Sequence, residues 1–400
     1  MYLGGILNVG RLINNVGGCV YMKNKINDMF AFENLYDDGE YYWFTSWSYN
    51  ALFRMDKKNW MVEYIGSFPN EKLNANRLYA NIVEYENKLY FTPSHAKYIG
   101  VYDKNSKIFS NIDYIAQQDN TLDNLIEWNF YPACEYNGCI YFFPHQRDYI
   151  LKFEVTIGRM TRISFTNDDL RMRNIGGTWF FGIYVQDNIV YAPFNGVNAV
   201  LKLNMKNDEM NIYEVGEQGT GFADMCYDGE NFWLVPMHGS EVVKWNYKKN
   251  TSDRIKITVN GSGDYLFWGC NCLNNVVYLI PNAYSKILTI DIQNNTEYLI
   301  TEYINIENDD KGIYYSNYIF CGLDKNYMLL FDKETYLYEI DKEKNIIRKE
   351  RLKLNPKNKI DYNTFISRLQ TQIILDKEKT NYETYIFPLE DYIRCIINNN

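Results

Sequence analysis

Residues 133–164 read ACEYNGCIYFFPHQRDYILKFEVTIGRMTRIS, and the succession of textures in this stretch decides the fold. Two apolar runs are joined by Asn137-Gly138, a pair that tolerates positive φ and so makes the tight connection of a β-hairpin. A loop then opens at Pro144, where proline ends the strand because it has no N–H to give the ladder. Two further runs follow. The first of them, Ile150-Leu151-Lys152-Phe153, is apolar with a single polar break, as expected of a strand that touches neighbouring sheets on both faces. Four antiparallel strands in under fifty residues make one propeller blade.

Working outward, Tyr141 is followed thirteen positions later by Glu154, and the same spacing joins Trp43 to Asp56, Tyr90 to Asp103, Tyr191 to Asn204, Trp233 to Asn246, Tyr278 to Asp291 and Met328 to Asp341. The seven anchors lie 42 to 51 residues apart, and self-similarity at that period marks a repeat architecture. Asp38-Gly39 and Asp228-Gly229 stand where Asn137-Gly138 stands in the third unit, and Val200-Leu201-Lys202-Leu203 and Val242-Val243-Lys244-Trp245 repeat its third strand. The expectation is an all-β, seven-bladed β-propeller of four-stranded antiparallel blades over residues 29–354. An N-terminal segment, 1–28, is either an extra strand or lies upstream of a start at Met22. Residues 355–400 form a short helical C-terminal extension. Within it DYNTFISRLQTQ reads as a helix capped by Asn363 or Thr364, and PLEDYIRCIINN as a second with Leu389, Tyr392, Ile393 and Ile396 at helical spacing. Both are expected to pack on the ring, with docking to another protein as the alternative. Closure of the ring stays open, since either terminus can supply a strand by exchange.

Composition fits one large domain. Aromatics reach 17% of 400 residues, with 37 tyrosines, and such rings fill wide sheet-to-sheet gaps while a hydroxyl reaches a wet edge. A net charge of −9 without a basic stripe argues against a nucleic-acid partner. No run of 18 apolar residues is present to span a membrane, and the first 21 residues lack the basic start of a secretory signal, so a cytoplasmic location is expected. Of eight cysteines, Cys134, Cys226 and Cys321 fall seven residues before their anchors, and Cys270 and Cys272 flank that position. They read as space-filling thiols on the first strands rather than as a metal site.

Function is sought in the loops between second and third strands, which open on the same face as the segments leading into each next blade. Pro93, Pro144, Pro236 and Pro281 start such loops, and all three histidines, His95, His145 and His238, fall in them. Two readings stay open. In the first, the chain is a non-catalytic binding scaffold for a protein, peptide or saccharide, with no cofactor. Its loop-face contacts are Trp47, Tyr49, His95, Tyr98, His145, Arg147, Arg171, Arg173, His238, Trp268 and Tyr284: flat rings stack on sugars or grip side chains, and arginines, with Arg77, hold carboxylate or phosphate. Asp168, Asp169, Glu217 and Asp264 offset those charges. In the second, His95, His145 and His238 bind a divalent transition metal in a lyase or hydrolase, with Asp148 or Glu241 orienting the rings or acting as base. Residues 216–221, GEQGTG, read either as a tight inter-blade turn or as a backbone nest for an anion.

The units IYFFP…YILKFE, VYAP…AVLKLN and FWLVP…EVVKWN resemble blades of kelch, NHL or virginiamycin B lyase-like propellers, over about residues 29 to 354. Kelch blades carry a glycine doublet that is not repeated here. The resemblance to the lyases implies metal-linked histidines and carboxylates on the loop face.

Overall fold

The computed structural model describes residues 32, 35–114, 129–174, 177–218, 221–257, 266–281, 287–294, 296–300, 318–324, 327–332, 336–341 and 346–380. Among them the chain forms seven sheets in sequence order, each built on an antiparallel meander of four strands, with a short fifth strand added in parallel to the first. The first holds Tyr36–Asp37, Tyr41–Thr45, Leu52–Asp56 and Met61–Gly66; the others span 79–113, 130–164, 184–214, 222–256, 267–300 and 318–351. No helix among the described residues is long and apolar enough to cross a membrane.

The thirteen-residue spacing has a local cause. The acidic or amide residue ends the third strand, and where it is Asp or Asn its side-chain oxygen accepts N–H groups of the turn that follows, while Glu154 accepts the Arg159 guanidinium instead. Asp56 takes Lys58 and Asn59, Asp103 takes Asn105 and Ser106, and Asp291 takes Gln293 and Asn294. This is the Asx-turn that Asp and Asn make and apolar residues cannot. The polar break in the third strand lies opposite the anchor, as Lys152 lies opposite Tyr141, Lys202 opposite Tyr191 and Lys244 opposite Trp233. Each ammonium sits over the facing ring, at 5.3, 5.9 and 5.1 Å from its centroid. In the first and fifth sheets the Asp-Gly turn does more. Asp38 and Asp228 accept the indole N–H of Trp43 and Trp233, both at 2.7 Å.

Adjacent sheets pack through these rings. Trp43 meets Tyr102, Tyr90 meets Phe153, and Tyr191 meets Phe232, with centroids 5.7, 6.3 and 4.6 Å apart. Cys134, Cys226 and Cys270 are buried free thiols on first strands, as expected, and Cys134 Sγ lies 3.7 Å from Met205 Sδ of the next sheet. The seventh sheet returns to the first. Leu337 joins the core around Phe44 and Phe53, and the Arg348 guanidinium lies 3.7 Å over Trp60 while donating to the Lys58 carbonyl.

Among the described residues the four strands of the seventh sheet are consecutive in the chain, so none of them is exchanged. A two-residue strand, Lys353–Leu354, instead pairs in parallel with the outer strand of the first sheet. Asn355 then bonds Val62 and Glu63, and Asn358 bonds both backbone groups of Tyr64. The expected helix exists but starts earlier than the sequence suggested. Asn355 caps a 3-10 turn, Pro356–Asn358, which runs into helix Lys359–Thr380. Thr364 lies inside that helix, its hydroxyl bonded to the Ile360 carbonyl, so it caps nothing. Phe365, Leu369 and Ile373 bury against the first sheet, with Phe365 stacked on Tyr64 at 4.6 Å. The second expected helix, in 388–399, and the segment 1–28 lie outside the described residues.

Candidate functional site

The loop face is knitted by backbone hydrogen bonds that run from sheet to sheet. Arg77 N–H donates to the Trp47 carbonyl, His95 to Arg77, Asn129 to Ser94, His145 to Asn129, Trp179 to His145 and Asn195 to Trp179. The series continues with Phe222 donating to Phe194 and Met237 to Gly221. Ser94, His145 and Met237 occupy equivalent positions on this ladder, four residues after their anchors, and His95 and His238 each follow one position later. A methyl group at Gly221 would collide with the Asn195 carbonyl, so that position needs glycine for close approach. Glu217 is held by Arg254 at 2.9 Å, which suits the turn reading of 216–221; residues 219 and 220 lie outside the described ones.

His95 Nδ1 lies 2.9 Å from the Arg77 carbonyl and so carries the proton there. His145 is buried, packed on Phe181 at 4.6 Å and near Tyr131 at 6.0 Å. Burial pushes its imidazole down to about 4; a long contact to the Phe180 carbonyl opposes this, and the charge of His95 adds to it. His145 is therefore neutral at physiological pH. His238, one residue beyond Met237 in the ladder, is half-buried. The carboxylates expected to serve these rings are bonded to arginines: Asp148 to Arg171 at 2.9 Å and Glu241 to Arg254 at 3.1 Å. Among the described residues no three His, Cys, Asp or Glu side chains are grouped so as to hold a metal ion.

Between the third and fourth sheets an open pocket of about 360 Å³ is lined by Gln146, Arg147, Asp148, Tyr149, Arg171, Asn174, Gly177 and Trp179. Arg147 is buried in its wall, with Nε and Nη2 donating to Asn129 Oδ1 at 2.9 and 2.6 Å and Nη1 3.4 Å from the Tyr149 hydroxyl. Helix Asp168–Arg173, capped by Asn167, carries Arg171 to the rim. Arg173 turns away to Glu214 at 2.6 Å and to Asp169, so it is engaged by acids rather than offered to an anion.

The sequence candidates divide accordingly. Arg147 and Arg171 share the pocket. Trp47 is stacked under the Arg77 guanidinium at 4.4 Å, and Tyr98 starts a third strand, half-buried. Tyr49 was expected on the exposed rim but is core. The Asn50 side chain bonds both backbone groups of Phe68, folding the loop back and turning Tyr49 under it. Tyr284 and the side chain of Trp268 lie outside the described residues. Sequence reading missed Gln146, Tyr149 and Asn174, which border the predicted His145–Asp148 loop. It also missed Tyr131, Phe181 and Asp224 on segments nearer the axis, although Gly182, Asp224 and Gly269 recur at one place near the start of successive blades.

No protein-family model matches the chain, and no curated protein matches it by sequence. Solved structures do. Virginiamycin B lyase from Staphylococcus aureus is similar over 76% of this chain and 92% of that one, at 14% identity and a TM-score of 0.59. BamB from Moraxella catarrhalis is similar over 80% of this chain and 88% of that one, at 7% identity and a TM-score of 0.52. The extracellular domain of a putative one component system from B. thetaiotaomicron is similar over 80% of this chain and 42% of that one, at 16% identity and a TM-score of 0.54. Identities this low carry fold and not chemistry. The chain has the β-propeller fold of these proteins.

Proposed function

We propose that the chain is a non-catalytic binding scaffold whose loop face takes a polar ligand, a saccharide or a peptide, in the pocket between its third and fourth sheets. The observation that carries this is the lining: an indole, a phenol, two amides and two guanidinium groups around one open concavity, several of them locked by partners behind. Rings and fork-shaped donors held in place are what stacking and hydrogen bonding to a sugar ring or a peptide backbone require. What favours binding over metal-assisted catalysis is that, among the described residues, no three metal-ligating side chains are grouped, and that Asp148 and Glu241 are each paired with an arginine.

The test is a titration of the purified chain, followed by tryptophan fluorescence, against a panel of neutral oligosaccharides and short peptides. At least one compound should bind saturably, and Gln146→Ala or Arg171→Ala should weaken it about tenfold, the effect of losing one good polar contact. Binding unchanged in both variants, or no binding across the panel, would sink this reading. A stoichiometric transition metal lost in His95→Ala would favour the metal-assisted lyase or hydrolase instead.

A further inference from the structure

Charge is unevenly spread over this chain. The whole carries −9, yet the described residues that line the loop-face pocket hold two guanidinium groups, Arg147 and Arg171, against one carboxylate, Asp148. A third guanidinium, that of Arg162, lies 4.7 Å over the ring of Tyr149, whose hydroxyl stands 3.4 Å from Arg147 Nη1. The concavity is thus locally basic in an acidic molecule.

The two arginines of the lining are held differently. Arg147 is buried, and its plane is fixed because Nε and Nη2 both donate to the neutral Asn129 amide. Arg171 is a rim group in the last turn of helix Asp168–Arg173, 2.9 Å from Asp148 and 3.3 Å from Asp168. Its side chain is 47% exposed and that of Asp148 53%, so this pair stands largely in water. An ion pair so open is worth little and gives way to another carboxylate offered in the same place. Arg173 differs, since its side chain is only 21% exposed and Asp169 and Glu214 both hold its Nη1. Asp148 is therefore the chain's own carboxylate laid on the one rim guanidinium of the pocket. Asn174, also in the lining, has a side-chain oxygen shielded from solvent and without a hydrogen-bond partner among the described residues. Such an acceptor calls for a hydroxyl or N–H donor.

Resting on the binding reading above, we propose that the ligand of this pocket bears a carboxylate, which takes Arg171 in place of Asp148, with Asp148 as an internal competitor. A guanidinium fork matches a carboxylate bidentately, and the donor that Asn174 calls for is a hydroxyl in a sugar acid or an N–H in a peptide C-terminus. The test is calorimetric titration of the full chain at pH 7 with two matched pairs: methyl β-D-glucuronide against methyl β-D-glucoside, and N-acetylglycylglycine against its C-terminal amide. In at least one pair the acid should bind about tenfold more tightly than its neutral twin, and that pair identifies the source of the carboxylate. Asp148→Asn, a change at an exposed side chain, should tighten the acid about threefold and move the neutral twin less, because only the acid competes with Asp148. Acid and twin binding alike, or a weaker acid in Asp148→Asn, would overturn the proposal and leave a pocket for neutral ligands intact. No binding by any of the four would also overturn it, whereas the binding reading itself fails only if its own panel shows none.

Discussion

His145 packs on Phe181 and Asp224 on the adjacent Gly182, and the two groups act on stability in opposite senses. His145 has its pKa lowered on folding to about 4, so protonation favours the unfolded chain. Its contribution is complete above the ordinary imidazole value and is lost as pH falls toward 4. Asp224 has its pKa raised to about 7, so ionisation favours the unfolded chain. Its contribution is complete below the ordinary carboxyl value and is lost as pH rises through 7. Between roughly pH 4 and 6.5 the two slopes oppose each other. Melting temperatures across this window should therefore rise more steeply with pH in Asp224→Asn than in the wild type, and less steeply than in the wild type in His145→Gln. Slopes unchanged by either substitution would show that neither group is desolvated as described. The sequence made one of these residues legible and hid the other. Histidine is rare in the chain and its loop positions recur, which marks out His145, but as a loop-face contact and not as the buried ring it is. Asp224 is one aspartate in an apolar strand, and its meaning comes from two glycines more than forty residues away on either side.

At the scale of elements, the strands were legible because their chemistry is local. The Asx-turn that closes the outer hairpin where the third strand ends in Asp or Asn needs that oxygen in place, and the facing anchor and lysine need a fixed register. The helix was legible in kind but not in its start. Within one sequence a Thr that bonds back into its own helix looks the same as a Thr that caps it, and only the pairing of Lys353–Leu354 with the first sheet shows that the turn begins at Asn355. Tyr49 was misjudged for a related reason, since the bond from Asn50 that buries it reaches a carbonyl eighteen residues on. Helix Lys359–Thr380 belongs to the core rather than lying on it, because Leu369 is 2% exposed among Phe53, Tyr64 and Phe365. Leu369→Ala should cost about 2–5 kcal/mol in urea unfolding, the usual range for a buried leucine whose cavity does not collapse. A loss under about 0.5 kcal/mol, typical of surface changes, would mean that the helix does not dock there.

For the whole molecule, the period of the repeat announced the architecture, but how the ring closes was not in the pattern. Closure rests on Leu337 in the first sheet's core, on Arg348 over Trp60 and on the parallel strand Lys353–Leu354, which stands outside the four-strand unit. The loop-face ladder exists only because distant blades share one axis. The pocket joins the loop of the third sheet to the segment that leads into the fourth. The most direct check is a spin-label distance between cysteines placed at Lys58 in the first sheet and Lys349 in the seventh, two exposed positions flanking the contact of Arg348 with Lys58. Sheets pack about 10 Å apart, so a closed ring puts these labels within roughly 20–25 Å of each other, linkers included, whereas seven sheets stacked in an open array put them about 60 Å apart. A single short distance is the predicted result; a distribution centred near the long value would contradict the ring and the loop-face ladder built on it.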